Sequence, residues 1–469
     1  MRKCCFFSLG CLGQDACRRQ HDFFIFLYIV KRALEQMNCS RAFLLFECLF
    51  DVQRAALNCM EQTGQFFFSN IQTRCSGRMA GSGLQQEEAM AETGREKDRL
   101  NDEKYMRMAL ELAVRGRGWV SPNPVVGAVI VRDDGRVIAE GYHERYGELH
   151  AERNALRHCM EPPAGATMYV TLEPCCHHGR QPPCTDAILE AGIRRVVVGS
   201  GDPNPLVAGK GIRILRDHGV EVTEGVLREE CDAVNEIFFH YIQTGTPYVV
   251  MKYAMTLDGK IAAFTGKSQW ITGEEARAHV HAMRGNLFGI MAGVGTVLAD
   301  DPLLTCRLPG ARNPVRIICD TSLRTPMTSK IVQTAFEVPT IIATASEDEE
   351  AVRGYEQKGC RVLQVSKTES GSIDLRELMK KLGREKIDSI LLEGGGTLNW
   401  SAPESGIVNR VMAYVSPKLF GGRDAKTPVE GQGVTAPPFA FHLENTAVTR
   451  LGEDFLIEGK LRKNKTQSE

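Results

Sequence analysis

Four side chains in one stretch of the sequence have the types and spacing of a hydrolytic zinc site. His150 stands two residues before Glu152, and Cys175 and Cys184, each preceded by a proline, follow it in the chain. One imidazole and two thiolates can close around zinc and leave a fourth position open for water. A glutamate beside such a site can carry protons from the water to a leaving amino group. The pattern therefore predicts a zinc deaminase acting on an amino-substituted base.

Each of these residues has a simpler explanation when it is taken alone. A histidine at a helix start is usually a surface residue, and two lone cysteines are usually buried thiols. Eight residues separate Cys175 from Cys184, whereas ordinary nucleoside and cytosine deaminases have two. Cys176, His177 and His178 lie in this gap and offer other ligands. We favour Cys175 because it directly follows a Glu-Pro pair.

The elements that must position these residues alternate between strand and helix. A hairpin is predicted first, and the helices starting at His150 and Cys184 would favour thiolates through their N-terminal partial charge. This order predicts a three-layer α/β sandwich. The predicted strands are 125–132, 137–142, 167–171, 195–199 and 221–222, and the helices are 102–115 (capped by Asp102), 150–158, 184–191, 210–218 and 229–244.

A second α/β unit follows a boundary predicted between residues 245 and 246. Its strands alternate with helices, as in doubly wound nucleotide-binding sheets. Three glycines, 394–396, follow a buried strand, which is a weak signal by itself because tight turns use the same residues. The predicted strands are 248–255, 288–293, 315–320, 340–343, 389–393, 408–415 and 455–459, with a helix at 273–284 and a polar tail at 464–469.

Length and composition are those of a globular protein with more than one core. The chain has 469 residues, of which 43% are hydrophobic and 25% charged. Its formal net charge of -1 gives no overall basic field for nucleic acid. The 16 cysteines show no disulfide framework, because half precede residue 100 at irregular spacings and most of the rest are scattered singly. A reducing, cytoplasmic compartment is therefore expected.

Residues 1–98 differ in composition from the rest of the chain. They are rich in Cys and Phe and carry no chemical motif. We expect a poorly ordered extension or an upstream start codon assigned in error, with a partner-binding or membrane-surface arm as the functional alternative. The apolar run 23–30 is far shorter than the roughly 20 residues that span a bilayer, so no membrane span is predicted.

Several motifs carry a resemblance to a known family. SPNPVVG at 121–127, GYH at 141–143, TLEPCCHHGRQPPC at 171–184 and DPNP at 202–205 are similar to the deaminase half of bifunctional riboflavin-biosynthesis deaminase/reductases. LDG at 257–259, SQWIT at 268–272, TVLADDP at 296–302 and EGG at 393–395 resemble the reductase half, a dihydrofolate-reductase-like domain. The resemblance extends from about residue 100 to the C-terminal region, roughly three quarters of the chain.

For the deaminase half, the resemblance implies hydrolytic removal of the 2-amino group of 2,5-diamino-6-ribosylamino-4(3H)-pyrimidinone 5′-phosphate. It implies zinc on His150, Cys175 and Cys184, and Glu152 as the proton shuttle. Three further residues match family positions that line the base pocket, namely Asn123, His143 and His177.

For the reductase half, the resemblance implies NADPH-dependent reduction of the ribose to a ribityl chain. Ser268, Arg284, Leu304, Arg307 and Glu393 match substrate-binding positions, and the two arginines suit a phosphate because guanidinium donors match its oxygens. The cofactor-binding positions are Ala254, Trp270, Thr296, Asp300, Gly395, Gly396 and Thr397.

The expected partners are small phosphoribosyl pyrimidines and further copies of this chain in a homo-oligomer, with no nucleic acid and no membrane. An alternative is a zinc nucleobase or nucleoside deaminase fused to a non-catalytic nucleotide-binding domain. Ser268, Trp270, Asp300 and Glu393, all intact, argue against that alternative.

Overall fold

A computed structural model describes residues 82–462 of the chain, with their side chains from residue 98 onward. Most of the predicted N-terminal extension, including the apolar run 23–30, and the tail 464–469 lie outside the described residues. Over the range 82–462, no helix combines the length and apolarity needed to cross a bilayer. The cysteines of this range are free thiols.

The first sheet has five strands in the order β2-β1-β3-β4-β5. Strand β1 runs antiparallel to both β2 and β3, and β3, β4 and β5 run parallel. The strands are β1 Gly127–Val131, β2 Val137–Tyr142, β3 Thr167–Leu172, β4 Arg195–Ser200 and β5 Glu221–Glu224.

Helices cover both faces of this sheet. Helix α1, Ser82–Ala113, packs Met106 and Ala109 against the face that carries Val129 and Val197. The opposite face packs against α2 Ala151–Arg157, α3 Cys184–Glu190, α4 Lys210–Asp217 and α6 Glu236–Thr244, with α5 Arg228–Val234 preceding α6. The predicted three-layer α/β sandwich is therefore confirmed.

The second sheet has nine strands in the order β10-β9-β8-β7-β11-β6-β12-β14-β13. The seven strands from β10 to β12 are parallel, and β14 and β13 extend the sheet antiparallel. They are β6 Tyr248–Thr256, β7 Gly289–Gly293, β8 Val315–Cys319, β9 Thr340–Thr344, β10 Arg361–Gln364, β11 Ser389–Leu392, β12 Val408–Ser416, β13 Leu443–Leu451 and β14 Asp454–Leu461.

Buried apolar clusters lie on both faces of the second sheet, as the doubly wound prediction requires. The carboxyl ends of the parallel strands meet at one edge, where ligands bind in this type of sheet. The helices are α7 Glu274–Asn286, α8 Val294–Asp300, α9 Lys330–Gln333, α10 Glu349–Gln357, α11 Leu375–Arg384 and α12 Gly396–Glu404.

Two helix predictions were wrong. The first helix does not begin at Asp102 but at Ser82, and the Asp102 side chain is buried with Arg195 and Tyr169 instead of capping. The predicted helix 229–244 is two helices that meet at Asn235. At this break, the side-chain amide of Asn235 accepts a hydrogen bond from the Val125 N–H and donates one to the Val125 carbonyl, both at 2.9 Å.

Strands β10 and β13 were missed by the sequence analysis. Both contain many polar residues, and β13 is exposed along almost its whole length at the sheet edge. A strand without a buried face lacks the apolar alternation on which prediction depends.

Candidate active sites

Three predicted zinc ligands converge at the carboxyl edge of the first sheet. His150 is the N-cap residue of α2, Cys175 follows β3, and Cys184 begins α3. The Nδ1 atom of His150 is 3.4 Å from the Sγ atoms of both Cys175 and Cys184. Tetrahedral zinc with bonds of roughly 2.0–2.3 Å would separate such ligand atoms by about 3.6 Å. The three side chains therefore fit a zinc ion.

Backbone contacts explain why these ligands meet. The carbonyl of Cys175 accepts hydrogen bonds from the N–H groups of Cys184 and Thr185, at 3.0 and 3.2 Å, which fixes the long loop to the start of α3. A Cβ at Gly141 would collide with the backbone of Ala155, so glycine lets α2 pack directly on β2. The Sγ of Cys176 points away, toward the Leu206 carbonyl, and does not join the ligand group.

Glu152 is buried beside the three predicted zinc ligands. Its side chain is only 3% exposed. Burial, reinforced by the nearby Cys175 thiolate, raises the pKa of Glu152 to about 7. A carboxyl group with a pKa near neutrality can both accept and return a proton at working pH.

A cavity of about 230 Å³ lies over this centre and contains the three predicted base-pocket residues. Burial lowers the pKa of His143 to about 4, so its imidazole is neutral. Nδ1 faces the Leu149 carbonyl at 2.9 Å and must therefore carry the proton, which leaves Nε2 to accept a hydrogen bond from Nδ2 of Asn123 at 3.1 Å. This orientation fixes the Asn123 amide, and the buried Nδ1 of His177 has no hydrogen-bond partner in residues 82–462.

Glu173, which the sequence analysis read only as part of a motif, has a structural role. Its carboxylate accepts hydrogen bonds from the N–H groups of Gly209, Gly211 and Ile212 at 2.9–3.3 Å. These groups belong to the start of α4, so Glu173 caps that helix against the loop carrying Cys175. Its position immediately before the Pro-Cys pair was the available signal.

A second cluster lies at the carboxyl end of β11 in the other sheet. Arg284 on α7 donates two hydrogen bonds to the Glu393 carboxylate, at 2.7 and 2.9 Å, and a third to the Thr305 carbonyl at 3.1 Å. Lys252 on β6 lies 3.5 Å from the same carboxylate. Burial alone would raise the pKa of Glu393, but Lys252 and Arg284 outweigh it and lower the pKa to about 2.

Lys252 was missed by the sequence analysis. It follows four buried residues in β6, and a lysine on such a strand requires a nearby anion. That position was the signal available in the sequence. Arg284, predicted to bind phosphate, is instead engaged by Glu393 and Thr305 in this structure.

The other predicted substrate residues of this half are more dispersed. Arg307 is exposed, with its Nε 3.1 Å from Nε2 of His281. Leu304 has its side chain in the apolar core, so only its backbone can meet a ligand. Ser268 lines a different, larger cavity, described next.

This larger cavity, of about 720 Å³, runs along the carboxyl edge of the second sheet. Helices α8 and α12 begin there at Gly293 and Gly395, and neither has a side-chain cap, so their first N–H groups remain available to an anion. Its size and these donors fit a dinucleotide. Five predicted cofactor residues line it, namely Thr296, Asp300, Gly395, Gly396 and Thr397.

Ala254 and Trp270, the other two predicted cofactor residues, lie outside this lining. Ala254 packs with an apolar cluster on β6. Trp270 is 57% exposed and stacks under the Arg277 guanidinium, 4.8 Å from its ring centre.

Two family models match separate parts of the chain. Residues 99–200 match the model described as cytidine and deoxycytidylate deaminase zinc-binding region. Residues 247–457 match the model described as RibD C-terminal domain.

Curated relatives match along both parts. The riboflavin biosynthesis protein RibD of Actinobacillus pleuropneumoniae is 56% identical over 359 residues, which are 76% of this chain and 95% of that protein. The protein of the same name from Aquifex aeolicus is 42% identical over 357 residues, covering 76% and 97%.

Solved structures of RibD proteins are also similar to this chain. Acinetobacter baumannii RibD, form 2, is 34% identical with a TM-score of 0.69, and the match covers 78% of this chain and all of that one. The Thermotoga maritima diaminohydroxyphosphoribosylaminopyrimidine deaminase/5-amino-6-(5-phosphoribosylamino)uracil reductase is 39% identical, with a TM-score of 0.68 and the same coverage.

Proposed function

The chain belongs to the RibD family of bifunctional deaminase/reductases of riboflavin biosynthesis, and from that premise we propose which residues perform each reaction. The substrate proposed for the first reaction is 2,5-diamino-6-ribosylamino-4(3H)-pyrimidinone 5′-phosphate. Its deaminated product, 5-amino-6-(5-phosphoribosylamino)uracil, is then the substrate of the reductase half. The Thermotoga maritima relative, whose name contains both activities, supports this pair.

In the deaminase half, His150, Cys175 and Cys184 hold the zinc ion. When bound, zinc supplies the Lewis acidity that makes water a nucleophile near neutral pH. Glu152 takes the proton of the attacking water and passes it to the amino group that leaves as ammonia. The single observation that carries this assignment is the equal 3.4 Å spacing of His150 Nδ1 from the two sulfur atoms.

The base is oriented by Asn123, His143 and His177. Asn123 donates one amide hydrogen to His143, which leaves its carbonyl oxygen and second hydrogen for the pyrimidine edge. The unpartnered, buried Nδ1 of His177 supplies a further polar contact in the same cavity. A buried polar atom without a partner is costly unless a ligand completes it.

In the reductase half, Thr296, Asp300 and Gly395 to Thr397 hold NADPH along the large cavity, with Ser268 on the same lining. NADPH supplies the hydride when bound. The ribose phosphate lies by Arg284, Arg307 and Glu393, with the backbone of Leu304 beside them. Lys252, ion-paired with Glu393, is the group placed to give a proton to the ring oxygen as the sugar opens.

Product analysis by mass spectrometry tests this assignment. With the diamino substrate alone, the purified enzyme releases ammonia and the deaminated pyrimidine. With NADPH added, the product gains two hydrogens and NADPH is oxidised. NADPH oxidation that did not require the deaminated pyrimidine, or its complete absence, contradicts the proposed sequence of reactions.

We further propose the boundaries and setting of the two halves. The deaminase domain spans residues 99–245 and the reductase domain 246–463, as supported by the separate sheets β1–β5 and β6–β14. The free thiols of the described range are consistent with a cytoplasmic enzyme. The exposed edge strand β13 offers a surface for a homo-oligomer, which sedimentation of the purified protein tests.

A further inference from the structure

The large cavity of the reductase half has two distinguishable ends. Glu393 and Lys252 lie at β11 and β6, so the reacting end of a dinucleotide must reach those strands. The helix start at Gly395, after β11, is the natural place for its pyrophosphate, and Gly293 at the end of β7 lines the cavity beside it. Strand β8 neighbours β7 on the side away from β11. The adenosine end therefore extends toward the loop after β8.

That loop, residues 320–325, is held rigidly. The buried Asp320 carboxylate accepts hydrogen bonds from the backbone N–H and the hydroxyl of Thr325, at 2.7 and 2.8 Å. The hydroxyl of Tyr355 shares its one hydrogen between the carbonyls of Leu323 and Thr325, with the closer contact to Thr325. Arg324 lies between Leu323 and Thr325, so these hydrogen bonds hold the backbone on both sides of it.

The Arg324 side chain lines the cavity and is exposed. Within residues 82–462, no hydrogen bond or ion pair engages its guanidinium, in contrast to Arg284. Asp320, on the same loop, accepts both hydrogen bonds of Thr325. Asp300 and Glu430 are acidic residues of the same cavity lining, and in the described part of the chain neither forms an ion pair with Arg324. A free guanidinium at the adenosine end needs an anion as its partner.

We propose, on the premise that the reductase half uses NADPH, that Arg324 binds the 2′-phosphate of the adenosine ribose and sets the preference for NADPH over NADH. The two coenzymes differ only in that phosphate. A guanidinium matches phosphate oxygens with two parallel N–H donors, and an arginine near the adenosine ribose is how such sheets accommodate the extra charge.

Two other cations line the same cavity and are the competing explanation. Lys267 lies in the loop after β6, and Lys426 lies in the segment after β12, whose backbone pairs with Ile261. Strands β6 and β12 lie beyond β11 in the sheet order, on the side opposite to β8, so both lysines are expected near the reacting ring and not near the adenosine ribose. They therefore provide matched controls, each removing one positive charge from the same cavity.

Equilibrium binding measured by titration calorimetry tests the proposal without requiring turnover. Full-length wild type, Arg324→Met, Arg324→Lys, Lys267→Met and Lys426→Met are each titrated with NADPH and NADH. Arg324→Met raises the Kd for NADPH by about tenfold or more and leaves the Kd for NADH within about twofold. Arg324→Lys restores part of the affinity, and unfolding temperatures remain at the wild-type value because the side chain is exposed.

The outcomes separate this inference from the function on which it rests. A wild-type protein that binds neither coenzyme overturns the reductase assignment and the role of Arg324 together. A wild type that prefers NADPH, with Arg324→Met weakening both coenzymes equally or neither, overturns only the role of Arg324. A selective loss of NADPH affinity in Lys267→Met or Lys426→Met would place the 2′-phosphate at the β6 and β12 end of the cavity. That result would also overturn only the role of Arg324.

Discussion

Arg284 and Glu393 form a two-pronged ion pair, with N···O distances of 2.7 and 2.9 Å, inside the reductase half. Their side chains are 15% and 12% exposed. Lys252 adds a second positive charge to the same carboxylate. The cluster therefore carries a net positive charge, which suits an anionic sugar phosphate. Glu393 is the group that holds the two cations close together.

Replacing Glu393 by glutamine should therefore cost both stability and reduction. Losing one partner of a buried pair leaves the other charges uncompensated, and we expect about 3 kcal/mol lower free energy of unfolding. The matched control is Glu385→Gln, because its partner Arg361 is 59% exposed, and this variant should cost less than about 1 kcal/mol. Chemical denaturation measures both, and equal losses would contradict the prediction.

The same carboxylate should make stability depend on acid pH. The pKa of Glu393 is lowered from 4.5 to about 2 in the folded protein, so its contribution is fully present above pH 4.5. That contribution is lost as the pH falls from 4.5 toward 2, because protons then bind the unfolded state preferentially. The unfolding free energy of Glu393→Gln should fall less steeply than that of wild type in this window. If the unfolding free energies of wild type and Glu393→Gln fell in parallel with pH, Glu393 would be excluded as the source of the acid dependence.

Glu152→Gln should abolish deamination while sparing the rest of the enzyme. An amide cannot accept the water proton, and a lost general base typically costs about 10²- to 10⁴-fold in rate. Ammonia release measures the loss, whereas zinc content and NADPH oxidation with the deaminated substrate should stay at wild-type values. Glu190→Gln, an exposed carboxylate on α3, serves as the control. Near-normal ammonia release from Glu152→Gln would refute the shuttle role.

Cys184→Ser should lose zinc, and Cys176→Ser should keep it. The Cys184 sulfur lies 3.4 Å from His150 Nδ1, whereas the Cys176 sulfur faces the Leu206 carbonyl. Zinc per chain, measured by atomic emission after gel filtration, distinguishes the two variants. Loss of zinc from Cys176→Ser alone would mean that the wrong cysteine has been assigned.

Sequence reasoning grouped His150, Cys175 and Cys184, which the fold brings together, because the prediction depends on residue type and on helix starts, both of which are local. It missed Lys252 because its partner, Glu393, lies far away in the chain. It missed the capping role of Glu173 for the same reason, since the start of α4 meets Glu173 only in the folded protein. Leu304 is a residue that the sequence identified but whose orientation it could not predict. A matching position identifies the residue, but only the folded chain shows that its side chain points into the core.

The capping of helix α1 was mispredicted for a related reason. Asp102 has a type that favours helix starts, yet it pairs with Arg195, 93 residues away, at 2.7 and 2.9 Å. Local propensity cannot anticipate a partner on another strand.

The pairing of Asn235 with Val125 ties the end of the deaminase half to the loop that carries Asn123. Although α6 comes last before the reductase strands, it contributes Phe238 to the wall of the base pocket. Anyone dividing this polypeptide into two separately expressed enzymes must therefore cut after Thr244. A cut at the end of β5 would remove Asn235 from the first enzyme, and with it both hydrogen bonds to Val125 beside the pocket.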